Sequence, residues 1–134
     1  VTRYAIDAAT LLRIVEDQLV VHPDHQLVAP QGIRSQALAT LLRRVRAGEL
    51  TDQQARALHT RLTELKIRAL GDRVSRWTSY QLAREHGWDD TTTAEYVAVA
   101  RLQADALIAL DPGVRTRAEG LVPSAEPDAL LAPE

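Results

Sequence analysis

The sequence contains no cysteine, which excludes a disulfide framework and any thiolate zinc site and suits a reducing cytoplasm. It has no methionine either and opens on Val1, which suggests an unusual initiation codon or trimming. No stretch approaches the roughly 18 consecutive apolar residues of a membrane span, and the opening residues lack a signal-peptide pattern. A soluble cytoplasmic protein is therefore expected. Missing too are a nucleophile elbow and a phosphate-binding glycine loop. His22, His25, His59 and His86 show no ligand spacing and read as surface residues. Internal repeats and low-complexity blocks are absent.

What remains is an ordinary globular composition. The chain has 134 residues, 46% of them hydrophobic and 25% charged, enough for one domain with a real core. Its net charge of −2 is unevenly spread. Residues 41–84 hold ten basic and four acidic groups, for +6, which leaves −8 for the rest. Such separation either steers a polyanion to one face or simply solvates two surfaces.

Apolar periodicity orders the elements. Residues 3–6 form a short strand that stops at Asp7. Leu11, Leu12, Val15 and Leu19 recur at helical spacing, giving a helix over 9–20 capped by Asp7 or Thr10. Residues 26–29 form a second strand. Helices follow from Ile33 to Gly48, from Thr51 to a break at Gly71, over 75–86, and over 93–103. Residues 106–110 are apolar throughout, as in a strand buried on both faces, and end at Asp111. A short helix after Pro112 and an edge strand at Leu121-Val122 close the domain, 1–122. The tail 123–134, with Pro123, Pro127 and Pro133, reads as loosely ordered. The pattern predicts a three-layer α/β/α sandwich around a short, mainly parallel sheet.

Sites in such sheets lie at the carboxyl ends of the strands. Asp7 and Asp111 both follow a strand directly. Each either caps the next helix or, if the strands are neighbours, shares a cation with the other.

The opening Tyr4-Ala5-Ile6-Asp7-Ala8-Ala9-Thr10-Leu11-Leu12 resembles the first strand and helix of PIN domains. Leu27-Val28-Ala29-Pro30 through Leu41-Leu42-Arg43-Arg44 is similar to their second strand and following helix. Residues 94–100 and 106–111 resemble the late helix and strand, so the likeness spans most of 2–122. The resemblance is to VapC-type toxins. It implies endoribonuclease chemistry dependent on Mg²⁺ or Mn²⁺, with Asp7 and Asp111 as metal-binding aspartates. It also implies RNA as substrate, a homodimer and a cognate VapB-type antitoxin. Two positions depart from the family pattern. Gln36 stands where a glutamate is common, and Thr93 where a third aspartate is common. Asp90, at the start of the same helix, is the residue placed to compensate, or else to cap that helix.

Beside this site, Arg34 precedes Gln36 by two positions. It, Arg43, Arg44, Arg46, Arg73 and Arg76 are candidate contacts to the RNA backbone, or solvated surface. Trp77 and Tyr80, three apart on one helix, either stack bases or pack into a protein groove. The segments around 58–70 and 77–82 are the expected partner contacts. The competing reading is a catalytically weak or inactive PIN-like module that binds RNA or a protein.

Overall fold

Four parallel strands form the centre of the fold: β1 (Thr2–Ile6), β2 (His25–Pro30), β3 (Arg68–Leu70) and β4 (Ala106–Ile108), in the order β3-β2-β1-β4. This is a computed structural model, and it describes residues 1–134. Helices α1 (Ala8–Glu16), α2 (Ile33–Arg46) and α3 (Asp52–Glu64) pack on one another. Helices α4 (Arg73–His86) and α5 (Thr92–Gln103) form a second group, and α5 lies across β1 and β2. Helix α6 (Pro112–Ala118) packs on α5. The chain is a three-layer α/β/α sandwich. Right-handed crossovers explain the split, because the connections after β1 and β2 run outward one way and the return to β4 runs the other.

The core is aliphatic. Ile6, Val28, Leu107 and Ile108 from the sheet meet Leu11 and Ile14 of α1, Ile33 and Leu41 of α2, Leu62 of α3 and Val97 of α5, all essentially inaccessible. The carboxyl-terminal parts of β1, β2 and β4 are covered on both faces, which is why Ala5-Ile6, Leu27-Val28-Ala29 and Leu107-Ile108 are apolar at successive positions. Gly87 ends α4 in the left-handed region at φ 69°, where a side chain would be strained.

Several boundaries differ from the sequence pattern. Helix α1 stops at Glu16 rather than running to 20, and Gln18 takes a left-handed conformation at φ 51°. Helix α3 ends at Glu64, and its cap residue Leu65 is already extended. The chain then forms β3, a strand the helical period had absorbed. Leu65 and Ile67 are half-buried while Lys66 and Arg68 are exposed, an alternation too short to read alone. Leu121-Val122 is a turn, not an edge strand. The edge contact lies two residues later, where Leu107 donates to the Pro123 carbonyl at 2.8 Å and accepts from Ala125 at 3.0 Å. Proline has no N–H with which to extend a ladder.

The tail is also more structured than expected. A 3₁₀ turn over Pro127–Leu130 buries Leu130 completely, and its carbonyl accepts from His22 N at 2.8 Å. Burial of one leucine and pairing of its backbone fix a segment whose prolines suggested a loose chain. No helix is long and apolar enough to cross a membrane.

Candidate metal centre at the carboxyl edge of the sheet

Strands β1 and β4 are neighbours, and the connections leaving them run to opposite sides of the sheet. That divergence opens a crevice at their carboxyl ends, the usual place for a ligand in an open α/β sheet. Asp7 closes β1 and Asp111 follows β4, so the two aspartates flank it.

Asp7 is 1% exposed. Its Oδ1 accepts from Thr10 N at 2.8 Å and from Leu110 N at 3.3 Å, and lies 2.6 Å from the Thr10 hydroxyl. Its Oδ2 accepts from Asp111 N at 2.9 Å. One carboxylate thus caps α1 and ties the loop after β4 to β1. The Thr10 hydroxyl also reaches the Ile108 carbonyl at 2.9 Å, a second stitch between the same strands. Both expected roles of Asp7 are compatible with this geometry, and the cap is realised. Asp111 is exposed, and its Oδ2 accepts from Val114 N at 3.1 Å as the cap of α6.

Gln36 and Thr93 join them. Asp7, Gln36, Thr93 and Asp111 line one cavity of about 340 Å³, together with Arg43 and Tyr96. Gln36, Thr40 and Arg43 recur at helical spacing, so α2 turns one stripe toward the cavity. Tyr96 is a member of the site that sequence reasoning missed. It is 3% exposed, and its phenol donates to Gln36 Oε1. Burial, then the nearby Asp7 carboxylate, pushes that phenol far above its ordinary value, so it stays a donor at any physiological pH. Its spacing of three from Thr93 on α5 was the available signal.

Asp90 is placed otherwise. Its Oδ1 accepts from Thr93 N at 2.9 Å, its Oδ2 lies 3.4 Å from Arg117, and it does not line the cavity. The bond from Thr93 N and the Arg117 guanidinium hold its carboxyl below the usual range. Capping thus occupies the residue expected to rescue the cluster. No group of three or more His, Asp or Glu side chains is disposed to hold a metal ion.

The candidate arginines divide. Arg43 lines the cavity and bonds Thr40 Oγ1 at 2.9 Å. Arg34 turns away from the crevice: its guanidinium donates to the carbonyls of Leu62 at 3.2 Å and Leu65 at 2.9 Å. It satisfies the end of α3 instead of a phosphate. Arg44 pairs with Glu16. Arg46 is exposed at the end of α2, and Arg73 and Arg76 are exposed on α4, outside this cavity. Arg76 donates to the Gly71 carbonyl at 2.6 Å. Arg34→Gln is expected to cost about 1–3 kcal/mol in urea unfolding, the range for losing hydrogen bonds from a charged donor. A midpoint unchanged from the parent would mean that these two bonds do not hold the end of α3.

Glu95, on the same helix as Thr93, is half-buried, and its carboxyl is raised by desolvation, partly offset by Arg76. A raised carboxyl favours folding below its unfolded value of about 4.5 and loses that contribution as pH rises through the folded value. Glu95→Gln should therefore stabilise the fold at pH 7 and lose the advantage below about pH 4. Thermal melts across that range check it, and a variant less stable at pH 7 would refute it.

No protein-family model matches the chain, and no curated protein sequence matches it. Among solved structures it is similar to the crystal structure of PAE2754 from Pyrobaculum aerophilum. The superposition has a TM-score of 0.71 at 21% identity and covers 97% of this chain and 94% of the other. A likeness at that identity establishes the shared fold.

Proposed function

We propose that the protein is a PIN-type endoribonuclease of the VapC toxin class, hydrolysing RNA phosphodiester bonds with Mg²⁺ or Mn²⁺ at Asp7 and Asp111. The observation that carries this reading is the convergence of Asp7, Gln36, Thr93 and Asp111 on one cavity beside the β1–β4 crevice. The donor set fits a hard cation of modest affinity. Magnesium is commonly held by one or two carboxylates, with water and substrate phosphate completing the shell. Asp111 is exposed, and Asp7 Oδ2 has only one protein donor. A bound ion supplies Lewis-acid polarisation of the phosphate and a more acidic water. The chain's own residues do the positioning. Four donors fix the Asp7 carboxylate, the Tyr96 phenol holds the Gln36 amide, and Arg43 offers a cation to a phosphate oxygen.

The same reading includes a cytoplasmic location, a homodimer and a cognate VapB-type antitoxin. Of the expected partner segments, Leu58 and Leu62 are spent in the core. Leu38 and Leu42, 46% and 50% exposed on α2, are the apolar surface we assign to a protein partner.

A second reading, a weak or inactive module that binds RNA or protein, is favoured by the lack of a third carboxylate. Incubation of a fluorescent single-stranded RNA with Mn²⁺ or EDTA separates the two. Mn²⁺-dependent cleavage that falls at least ~100-fold in a folded Asp111→Ala variant supports the enzyme. RNA binding with no cleavage by the parent supports the module.

A further inference from the structure

Helix α4 carries Arg73, Trp77, Tyr80 and Arg84 at spacings of four, three and four residues. That spacing follows the helical period, so the four side chains share one face. The face is turned to solvent. Trp77 is 57% and Tyr80 46% exposed, both arginines are exposed, and neither arginine forms an ion pair. The opposite face, with Ser75, Ser79, Leu82 and Ala83, already anchors the helix. The aromatic pair is therefore not needed to hold α4 in place.

Its geometry is that of an open stack. The indole and phenol rings lie 4.6 Å apart at 14°. Beside Trp77 runs a cleft of about 400 Å³, lined also by Arg73, Val74, Thr78 and Gln81. Helix α4 starts just after β3 ends at Leu70, so Arg73 sits at the carboxyl edge of the sheet, the edge that carries Asp7 and Asp111.

We propose that this stripe is a stacking platform for single-stranded RNA, with a base in the cleft against Trp77 and phosphates drawn to Arg73 and Arg84. The choice of RNA rests on the ribonuclease reading above. Charge and shape support it independently. The stripe has a cation at each end and no carboxylate, and the neighbouring Asp72 is turned onto Ser75 as the helix cap. Two parallel rings are extended most simply by a third flat ring, and every base has such a face. A duplex hides its base faces within the stack, so an unpaired strand is the occupant that fits.

The test uses the full chain in EDTA, so that binding is read without metal-dependent cleavage. A 2′-O-methylated single-stranded nonamer is titrated by anisotropy. Trp77→Ala and Tyr80→Ala should each bind roughly 5- to 150-fold more weakly, the ratio corresponding to ~1–3 kcal/mol per stacked base. Trp77→Phe should recover most of the loss. Arg73→Ala and Arg84→Ala should each flatten the plot of log affinity against log salt by about 0.7. Unchanged affinity in Trp77→Ala overturns the proposal, as does equal binding of a duplex of the same length. Light scattering on the same variants covers the competing occupant: if Trp77→Ala turns a dimer into a monomer, the face joins two copies and the platform is refuted. Trp77-dependent binding by a protein that never cleaves RNA would leave the platform standing and defeat the nuclease. Cleavage and binding that ignore Trp77 would do the reverse.

Discussion

Asp7→Ala is expected to destabilise the fold by about 3–5 kcal/mol even where no metal is present. The carboxylate accepts from the backbone of Thr10, Leu110 and Asp111 and from the Thr10 hydroxyl, inside a site that is 1% exposed. Alanine removes the α1 cap, worth about 0.5–2 kcal/mol, and strands buried N–H groups at about 1–3 kcal/mol each. The Thr10 hydroxyl can fall back on the Ile108 carbonyl, so its loss is smaller. Against a typical total of about 5–15 kcal/mol this is a large fraction. Urea unfolding should show the midpoint falling by roughly 1–3 M with the slope retained. A midpoint within about 0.3 M of the parent would mean that water replaces the carboxylate, and that Asp7 does not clamp the two strands. The size of the effect also bears on function. Loss of metal binding or cleavage in Asp7→Ala could follow from unfolding alone. Asp111, exposed and capping only α6 through Val114, is the cleaner probe.

The double role of Asp7 explains why the carboxyl edge was legible in the sequence. An aspartate after an apolar run caps the next helix, so Asp7, directly after β1, and Asp111, three residues after β4, mark where the chain turns at the carboxyl edge. Gln36 and Thr93 were reached through the family resemblance, and the cavity does bring them to the same place. What the sequence hid depends on contacts between distant segments. Arg34 reads either as a phosphate contact or as solvated surface, but the fold delivers the end of α3 to its guanidinium. Strand β3 is three residues long and exists because the exposed edge of β2 pairs with it through Val28, Ala29 and Pro30. A helical period that holds through Leu65 gives no warning of it. Asp90 shows the same ambiguity from the other side. A carboxylate at the start of a helix satisfies the amide of Thr93 and meets Arg117 from α6, and nothing local distinguishes that cap from a ligand.

If the proposed cation site is right, Thr93→Asp combined with Gln36→Glu is expected to make the stability of the fold depend visibly on added metal. Both positions lie in the first turn of their helices, α5 and α2, where a carboxylate gains about 0.3–1 kcal/mol from the helix dipole. Neither substitution therefore opposes its own helix. At position 36 the Tyr96 phenol would donate to a carboxylate in place of an amide, a stronger bond in a buried setting. The opposing effect is repulsion, since two more negative charges enter a cavity that already holds Asp7 and Asp111. Without metal the double variant should melt below the parent. With Mn²⁺ at about 100 times its dissociation constant, binding should contribute about 2.7 kcal/mol. For a domain of this size that raises the melting temperature by roughly 5–15 °C. The parent should respond less at the same concentration, because two carboxylates compensate less of the ion's lost hydration. RNA cleavage by the double variant alone would mark the natural protein as a nuclease that has lost ligands. Cleavage by the parent would show that Asp7 and Asp111 suffice. Equal metal responses in parent and variant would mean that the cavity joining these four residues is not a cation site.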